Sequence, residues 1–298
     1  MNGFDGHSRP PEDATELATA AILPDLEIPV ARPITQLTSP VAVQTPDPFL
    51  LGTSRAAAWR DMGTLILCMA AFHFIAEIGL TLIAFALGVD SPDATEESPE
   101  LRRFVVVPML FVSAIATRVV VGAILRHRRQ PWASVGLTRK GMGSSVLVGL
   151  GATGAAYLLI GAALLVMTLF SPSVMEKMNK NATNLISVIP KMSPAVLALV
   201  SLAVGYYEEL LFRGFLMTRL RRCTGGWIPA VVLTTALFTS LHASVQIGPA
   251  LIFISILSIV LSVVTIWRRS LVPAIVTHTT FDFSQFLLLY FTSRDAWK

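Results

Sequence analysis

The sequence is poor in charge and in cysteine, and each shortage excludes a class of protein. Only 14% of its 298 residues are charged, whereas a soluble globular domain carries about 25%. The two cysteines, Cys68 in an apolar run and Cys223 beside arginines, do not make a disulfide framework. We interpret the net charge of +4 through the placement of basic residues in loops between spans and not as a nucleic-acid signal, so we expect no nucleic-acid partner. Hydrophobic residues make up 53% of the whole sequence, as expected of a protein that crosses the membrane several times.

The first 60 residues lack both helical and strand periodicity. Prolines and polar residues are spread throughout this stretch, which is typical of a disordered segment. The first strong apolar run begins near Met62, too late for a cleaved signal peptide. We therefore predict a disordered, proline-rich tail over residues 1–60 and membrane insertion by the first spanning helix.

Seven later runs have about the length that is needed to cross a bilayer. They predict an all-α fold, a polytopic membrane helical bundle with about seven spanning helices, near residues 62–88, 104–125, 144–170, 195–221, 227–246, 249–267 and 271–291. Every second connection is basic, so the positive-inside rule places the N-terminus in the cytoplasm and the C-terminus outside. The loop around Lys177 is an exception, because it carries lysines on the predicted outer side. We divide the spanning region into N-terminal helices with a basic cytoplasmic loop, 61–143, and a core, 144–292.

The strongest chemical signal lies in the fourth span. Glu208, Glu209 and Arg213 occur in a stretch that is otherwise apolar enough to lie in a bilayer, and ionisable groups at that depth indicate a functional site. On a helix, Glu209 and Arg213 are one turn apart with the acid first, which favours an ion pair. Glu208 lies about 100° further round the helix, so the arginine can hold one acid and leave the other free.

Two further spans carry polar residues at the same helical spacing. Phe238 and His242 share one face of the fifth span, and His278 and Asp282 share one face of the seventh. With Glu208 as a general base, this set can support hydrolysis of an amide by water, and Asp282 could fix the tautomer of His278. Two mechanisms remain open: His242, His278 and Glu208 could bind Zn²⁺, or a histidine could donate to the oxyanion without a metal. The zinc-protease signature H-E-x-x-H is absent.

These residues carry a family resemblance. Glu208-Glu209-x-x-x-Arg213, Phe238-x-x-x-His242 and His278-x-x-x-Asp282 resemble the three ordered motifs of the CPBP intramembrane proteases. That family includes the type II CAAX prenyl endopeptidases and the bacteriocin-processing or immunity (Abi) proteins, and the similarity covers about residues 140–291.

The resemblance implies an all-helical membrane fold whose site lies in a cavity within the bilayer. It implies that Glu208 is catalytic, that Glu209 and Arg213 support it, and that His242, His278 and Asp282 complete the site. The prenyl-protein branch typically has Asn at the position of Asp282. An ionised aspartate cannot donate to an oxyanion, so orienting His278 or binding a metal suits this acid better.

The main hypothesis is an intramembrane endopeptidase, either a metalloprotease or a metal-free enzyme, that cleaves a membrane-associated or prenylated protein or peptide with water that Glu208 activates. One alternative is a proton-coupled transporter that uses the same acids and histidines as a relay. A clear pair of repeated, Gly/Pro-interrupted segments in matching halves, expected of many transporters, is not found. Another alternative is a non-catalytic membrane scaffold or immunity protein, although a scaffold does not need buried charges.

Two other patterns have simpler explanations. Gly149, Gly151 and Gly154 match the spacing of a dinucleotide-binding loop, but no strand is predicted before them. Small residues in a spanning helix more often allow close helix packing, and we favour that interpretation. His73 and Glu77 are one turn apart on the first span, and we predict a structural pair inside the bundle.

Overall fold

The computed structural model describes residues 49, 52–86, 99–188 and 192–292. Within these ranges the chain is helical without any strand, so the all-α prediction is confirmed. The helices are α1 Arg55–Ala86, α2 Pro99–His127, α3 Met142–Phe170, α4 Val174–Val188, α5 Pro194–Thr224, α6 Trp227–His242, α7 Pro249–Arg268 and α8 Val272–Thr292. The described residues between Pro46 and Lys298 belong to one compact unit. Most of the predicted disordered tail lies outside the described residues.

Each of the seven predicted spans contains a helix, and five of the helices in the described residues are long and apolar enough to cross a membrane. The five are α1 from Arg55 to Ile83, α2 from Val107 to His127, α3, α5 and α7. Helix α6 is apolar but has only 16 residues, and α8 has 21 residues that include the polar group around His278 and Asp282. The chain is a multi-pass membrane protein, and seven is an approximate number of crossings.

Helix α4 occupies a segment that the sequence analysis treated as a loop. This helix is short and carries charged residues on its surface, including the ion pair between Glu176 and Lys180 at 2.9 Å. The buried Asn181 instead faces the rest of the protein, where its Nδ2 donates to the carbonyl of Ile247 at 2.9 Å. The Ile247 N–H donates back to Asn181 Oδ1 at 2.8 Å. Helix α4 therefore holds the connection that follows α6.

Arginines from the basic connections make contacts at the same end of the bundle. Arg128, after α2, forms an ion pair of 2.7 Å with the buried Asp61 of α1. At the end of α5, Arg222 donates to the carbonyl of Thr53 at 2.5 Å. Arg268 at the end of α7 donates to a serine at the start of α3. These contacts agree with the predicted alternation of basic connections, and the cytoplasmic position of this end remains a prediction.

Gly149 allows close packing, as the sequence analysis proposed for the glycines of α3. A Cβ atom at this position would lie 2.7 Å from Val276 Cβ and 2.8 Å from the carbonyl oxygen of Pro273. Thr277 Oγ1 also donates to the carbonyl of Gly149 at 2.9 Å. A Cβ atom added at Gly151 would meet no atom within 4 Å. The first glycine of the pattern thus brings α3 against α8, and the packing interpretation is confirmed there.

The predicted pair of His73 and Glu77 inside the bundle is wrong. Both side chains are exposed on α1, and His73 Nδ1 lies 3.0 Å from the carbonyl oxygen of Met69. Helix α1 buries residues of its first turns, such as Asp61, Met62 and Leu65. Its later turns present no buried face to the described helices. A spacing of one turn places two side chains on one face but does not say which way that face points.

Candidate active site

The centre of the site is a paired acid and base on α5. Arg213 Nη1 donates to Glu209 Oε1 at 2.8 Å, and both side chains are fully buried. Residues Leu210–Leu216 form a π-helical segment within α5, and such segments often occur at functional sites. The ion pair predicted from spacing is present. Burial of both charges is tolerated because each has a partner of opposite sign.

Helices α6 and α7 hold the other side of the arginine. Arg213 Nη2 donates to Ser258 Oγ at 2.8 Å and to the carbonyl of Ser258 at 3.2 Å. Ser258 Oγ in turn donates to Thr235 Oγ1 at 2.9 Å. The guanidinium also lies over the ring of Phe238, with 4.4 Å between the guanidinium carbon and the ring centroid. Helices α5, α6 and α7 therefore meet at Arg213.

Glu208 differs from Glu209 in its partners. Its side chain is 14% exposed, and Oε1 accepts a hydrogen bond from Tyr207 Oη at 3.1 Å. Oε2 is buried and has no hydrogen-bond partner among the described residues. A buried carboxylate oxygen without a donor is uncommon because it costs free energy, and a catalytic role is one explanation for such a group. Glu209 Oε2 also lacks a donor among the described residues, but Glu209 is fully buried and its charge is paired with Arg213. Because Glu208 is partly exposed and has no arginine as a salt-bridge partner in the described structure, it is the available acid of the pair, as the sequence analysis proposed.

His278 joins the seventh predicted span to this centre. Its Nδ1 lies 2.8 Å from Glu209 Oε1, and since a carboxylate only accepts, Nδ1–H is the donor. On the other side of the ring, Nε2 is 3.4 Å from Asp282 Oδ2 and 3.8 Å from Glu208 Oε2. The contact that sets the tautomer is made by Glu209. Asp282 therefore faces the nitrogen that points into the site.

His242 is oriented by its own helix. Its Nδ1 donates to the carbonyl of Phe238 at 2.8 Å, so Nε2 is left for the site. The Phe238 ring packs between the two histidines, with centroid distances of 4.5 Å to His242 and 6.0 Å to His278. Glu208 and His242 interact electrostatically. The structure thus places all six predicted site residues around Phe238 and the carboxylates of α5.

The donor atoms are of the kind that zinc takes, but their placement does not make a ready site. Two histidine Nε2 atoms and the Glu208 carboxylate match common zinc ligands, and each histidine Nδ1 is held by another group. In the part of the chain that the structure describes, however, no three His, Cys, Asp or Glu side chains are placed to hold an ion. Zinc binding therefore remains a prediction. Metal analysis of the wild-type protein and of a His242→Ala/His278→Ala variant would test it. Zinc that is present in the wild type and absent from the variant would show that these histidines are ligands.

Comparison with known families adds to this geometry. Residues 190–284 match the family model described as type II CAAX prenyl endopeptidase Rce1-like. The predicted family resemblance is confirmed. The Rce1-like match covers less than half of the chain, yet it contains all six predicted site residues. It supports a CAAX-type intramembrane protease at the level of the family. No curated protein and no solved structure matches the chain.

The sequence analysis did not predict two residues that contact the site. Ser258, which supports Arg213, lies on α7 in a span that was read only as apolar. Serines at 258 and 262 are one turn apart in that span, and this spacing was a usable signal. Tyr207 carries no signal beyond its position next to Glu208, because only the folded helix shows that its hydroxyl reaches the carboxylate.

Gly205 allows α5 and α8 to approach at the site, and we predict that alanine there destabilises the protein. A Cβ at this position would lie 2.6 Å from Thr279 Oγ1 and 3.0 Å from the Thr279 backbone nitrogen. Overpacking of this kind typically costs about 1–3 kcal/mol, so Gly205→Ala should lower the midpoint of thermal unfolding in detergent. Gly151→Ala is the matched control, because its Cβ meets no atom within 4 Å. Equal midpoints for the two variants would contradict the prediction.

Proposed function

We propose that this protein is an intramembrane endopeptidase that hydrolyses a peptide bond with water activated by Glu208. The observation that carries the proposal is the buried Oε2 of Glu208, which has no donor among the described residues and faces His278 Nε2 at 3.8 Å. The neighbouring Glu209 also has an Oε2 without a donor among the described residues, but its Oε1 is bonded to Arg213 and His278 and its side chain is fully buried, whereas Glu208 is 14% exposed. A carboxylate that is free to accept a proton beside a histidine suits general base catalysis.

In the proposed reaction, Glu208 Oε2 takes a proton from water while the water oxygen attacks the carbonyl carbon of the substrate. The resulting oxyanion accepts a hydrogen bond from His242 Nε2 or from His278 Nε2. Each Nε2 donates only when its ring is doubly protonated, because the hydrogen-bonded Nδ1 carries the proton of the neutral ring. Glu208 then passes its proton to the amide nitrogen as the C–N bond breaks. The products are a new carboxyl group and a free amine.

The remaining predicted residues act on His278. Glu209 fixes the ring through Nδ1, and Arg213 keeps Glu209 in place. Asp282 Oδ2, at 3.4 Å from Nε2, would stabilise a positive charge on the ring. An ionised Asp282 cannot donate to the oxyanion, so we assign it this electrostatic role.

The proposed substrate is a prenylated protein tail ending in Cys-aliphatic-aliphatic-X. This class follows from the family description, type II CAAX prenyl endopeptidase. Other membrane-bound peptides, including bacteriocin precursors, form the second class to test with the same assay. Either kind of substrate would reach a site within the bilayer from the membrane itself.

A prenylated peptide with a fluorophore and a quencher on either side of the cleavage point tests the proposal. Purified protein in detergent should cleave it, and in ¹⁸O-labelled water the new carboxyl group should gain one ¹⁸O atom by mass spectrometry. A protein that cleaves neither substrate class, yet moves a solute into proteoliposomes when a pH step is applied, would be a transporter instead.

A further inference from the structure

Tyr207 lies directly before the motif residues and contacts the proposed base. Its Oη donates to Glu208 Oε1 at 3.1 Å, and the ring is half-buried on α5. Tyr207 also interacts electrostatically with Asp282, so it lies at the site and not on a remote face of the helix. The three motifs begin at Glu208 and do not include this tyrosine.

The hydrogen bond distinguishes the two oxygens of Glu208. Oε1 is held by the Tyr207 hydroxyl, whereas Oε2 is left without a donor and faces His278. A hydrogen bond to a charged acceptor is stronger than one between neutral groups. It also restricts rotation about the last bond of the glutamate side chain, which otherwise turns over a broad range.

We propose that Tyr207 is a positioning residue that holds Glu208 Oε1 and so makes Oε2 the oxygen that takes the proton from water. This inference rests on the function proposed above. During the reaction Oε1 keeps its bond to Tyr207 while Oε2 gains the proton and later releases it to the leaving amine. Without the hydroxyl, the carboxylate turns more freely and spends less time aimed at the water, since precise placement contributes strongly to rate.

The preceding residue provides a matched control. Tyr206 is also a half-buried tyrosine of α5, but its Oη accepts from Arg118 Nη1 at 2.9 Å and its ring packs with a cluster around Leu210. The Tyr206 hydroxyl therefore contacts α2 and not Glu208. Replacing each tyrosine by phenylalanine therefore removes one hydroxyl from the same helix, with only one of the two touching the proposed base.

The test compares Tyr207→Phe with Tyr206→Phe on the prenylated fluorogenic peptide. We expect Tyr207→Phe to lower kcat about tenfold, the size expected for one hydrogen bond to a charged group, with KM and the thermal midpoint nearly unchanged. Tyr206→Phe should keep kcat within about twofold of wild type. A purely structural role of Tyr207 would lower the thermal midpoint and would not confine the loss to kcat.

A double-mutant cycle asks whether Tyr207 acts through Glu208. Glu208→Asp shortens the acid and withdraws its oxygens from the Tyr207 hydroxyl. In that background Tyr207→Phe should cause little further loss. An undiminished tenfold loss there, or a wild-type kcat for Tyr207→Phe, would overturn the inference while the protease function stands. If the wild-type protein fails to cleave the peptide, the proposed function fails first and the inference with it.

Discussion

Glu208→Gln should reduce kcat for peptide hydrolysis by about 10³-fold or more while leaving the protein folded. The amide has almost the same volume as the carboxylate, and its oxygen can still accept from Tyr207. It cannot take a proton from water, and a general base contributes about 10²–10⁴-fold to a rate. Initial rates with the prenylated peptide, beside thermal unfolding of the same preparation, measure both effects.

The control for this variant is Glu77→Gln. Glu77 is also an acid in an apolar span, but it is exposed on α1 and outside the site. Its replacement should leave the rate of cleavage unchanged. That result would show that the loss of a carboxylate from an apolar span does not by itself lower the rate. Full cleavage by Glu208→Gln would remove Glu208 as the base and with it the proposed mechanism.

Arg213→Met should lower the stability of the protein more than the other substitutions. The arginine is fully buried and bonds to Glu209 and Ser258, so its loss leaves His278 as the remaining hydrogen-bond partner of the Glu209 carboxylate among the described residues. Breaking a buried ion pair by removing one member typically costs about 3–5 kcal/mol. We expect poor recovery from the membrane and a much lower midpoint of thermal unfolding in detergent.

A second substitution separates charge from packing. In Glu209→Gln/Arg213→Met both charges are removed, so the double variant should unfold at a higher temperature than Arg213→Met alone. Arg126→Met is the matched control, because Arg126 is exposed at the end of α2 and surface changes usually stay within about 0.5 kcal/mol. A wild-type midpoint for Arg213→Met would show that the buried pair does not stabilise the fold.

The spanning helices were predictable because their signal is local. The length of each apolar run reflects the thickness of the bilayer, and the predicted spans correspond to helices α1, α2, α3, α5, α6, α7 and α8. Helix α4 was missed because it is too short and too polar to register as a span, and its position depends on the contact of Asn181 with Ile247. The π-helical segment of α5 has no local signature that the analysis used.

By itself, the sequence determined that a multi-pass helical protein carries Glu208, Glu209, Arg213, His242, His278 and Asp282 at one-turn spacings. Contacts within a single helix, such as Glu209 with Arg213, follow from that spacing. Tertiary structure alone decided the contacts between helices. In the folded protein, His278 Nδ1 donates to Glu209, while Nε2 faces Asp282 and Glu208. The sequence could not predict these contacts, because the rotation and depth of each helix depend on packing against its neighbours.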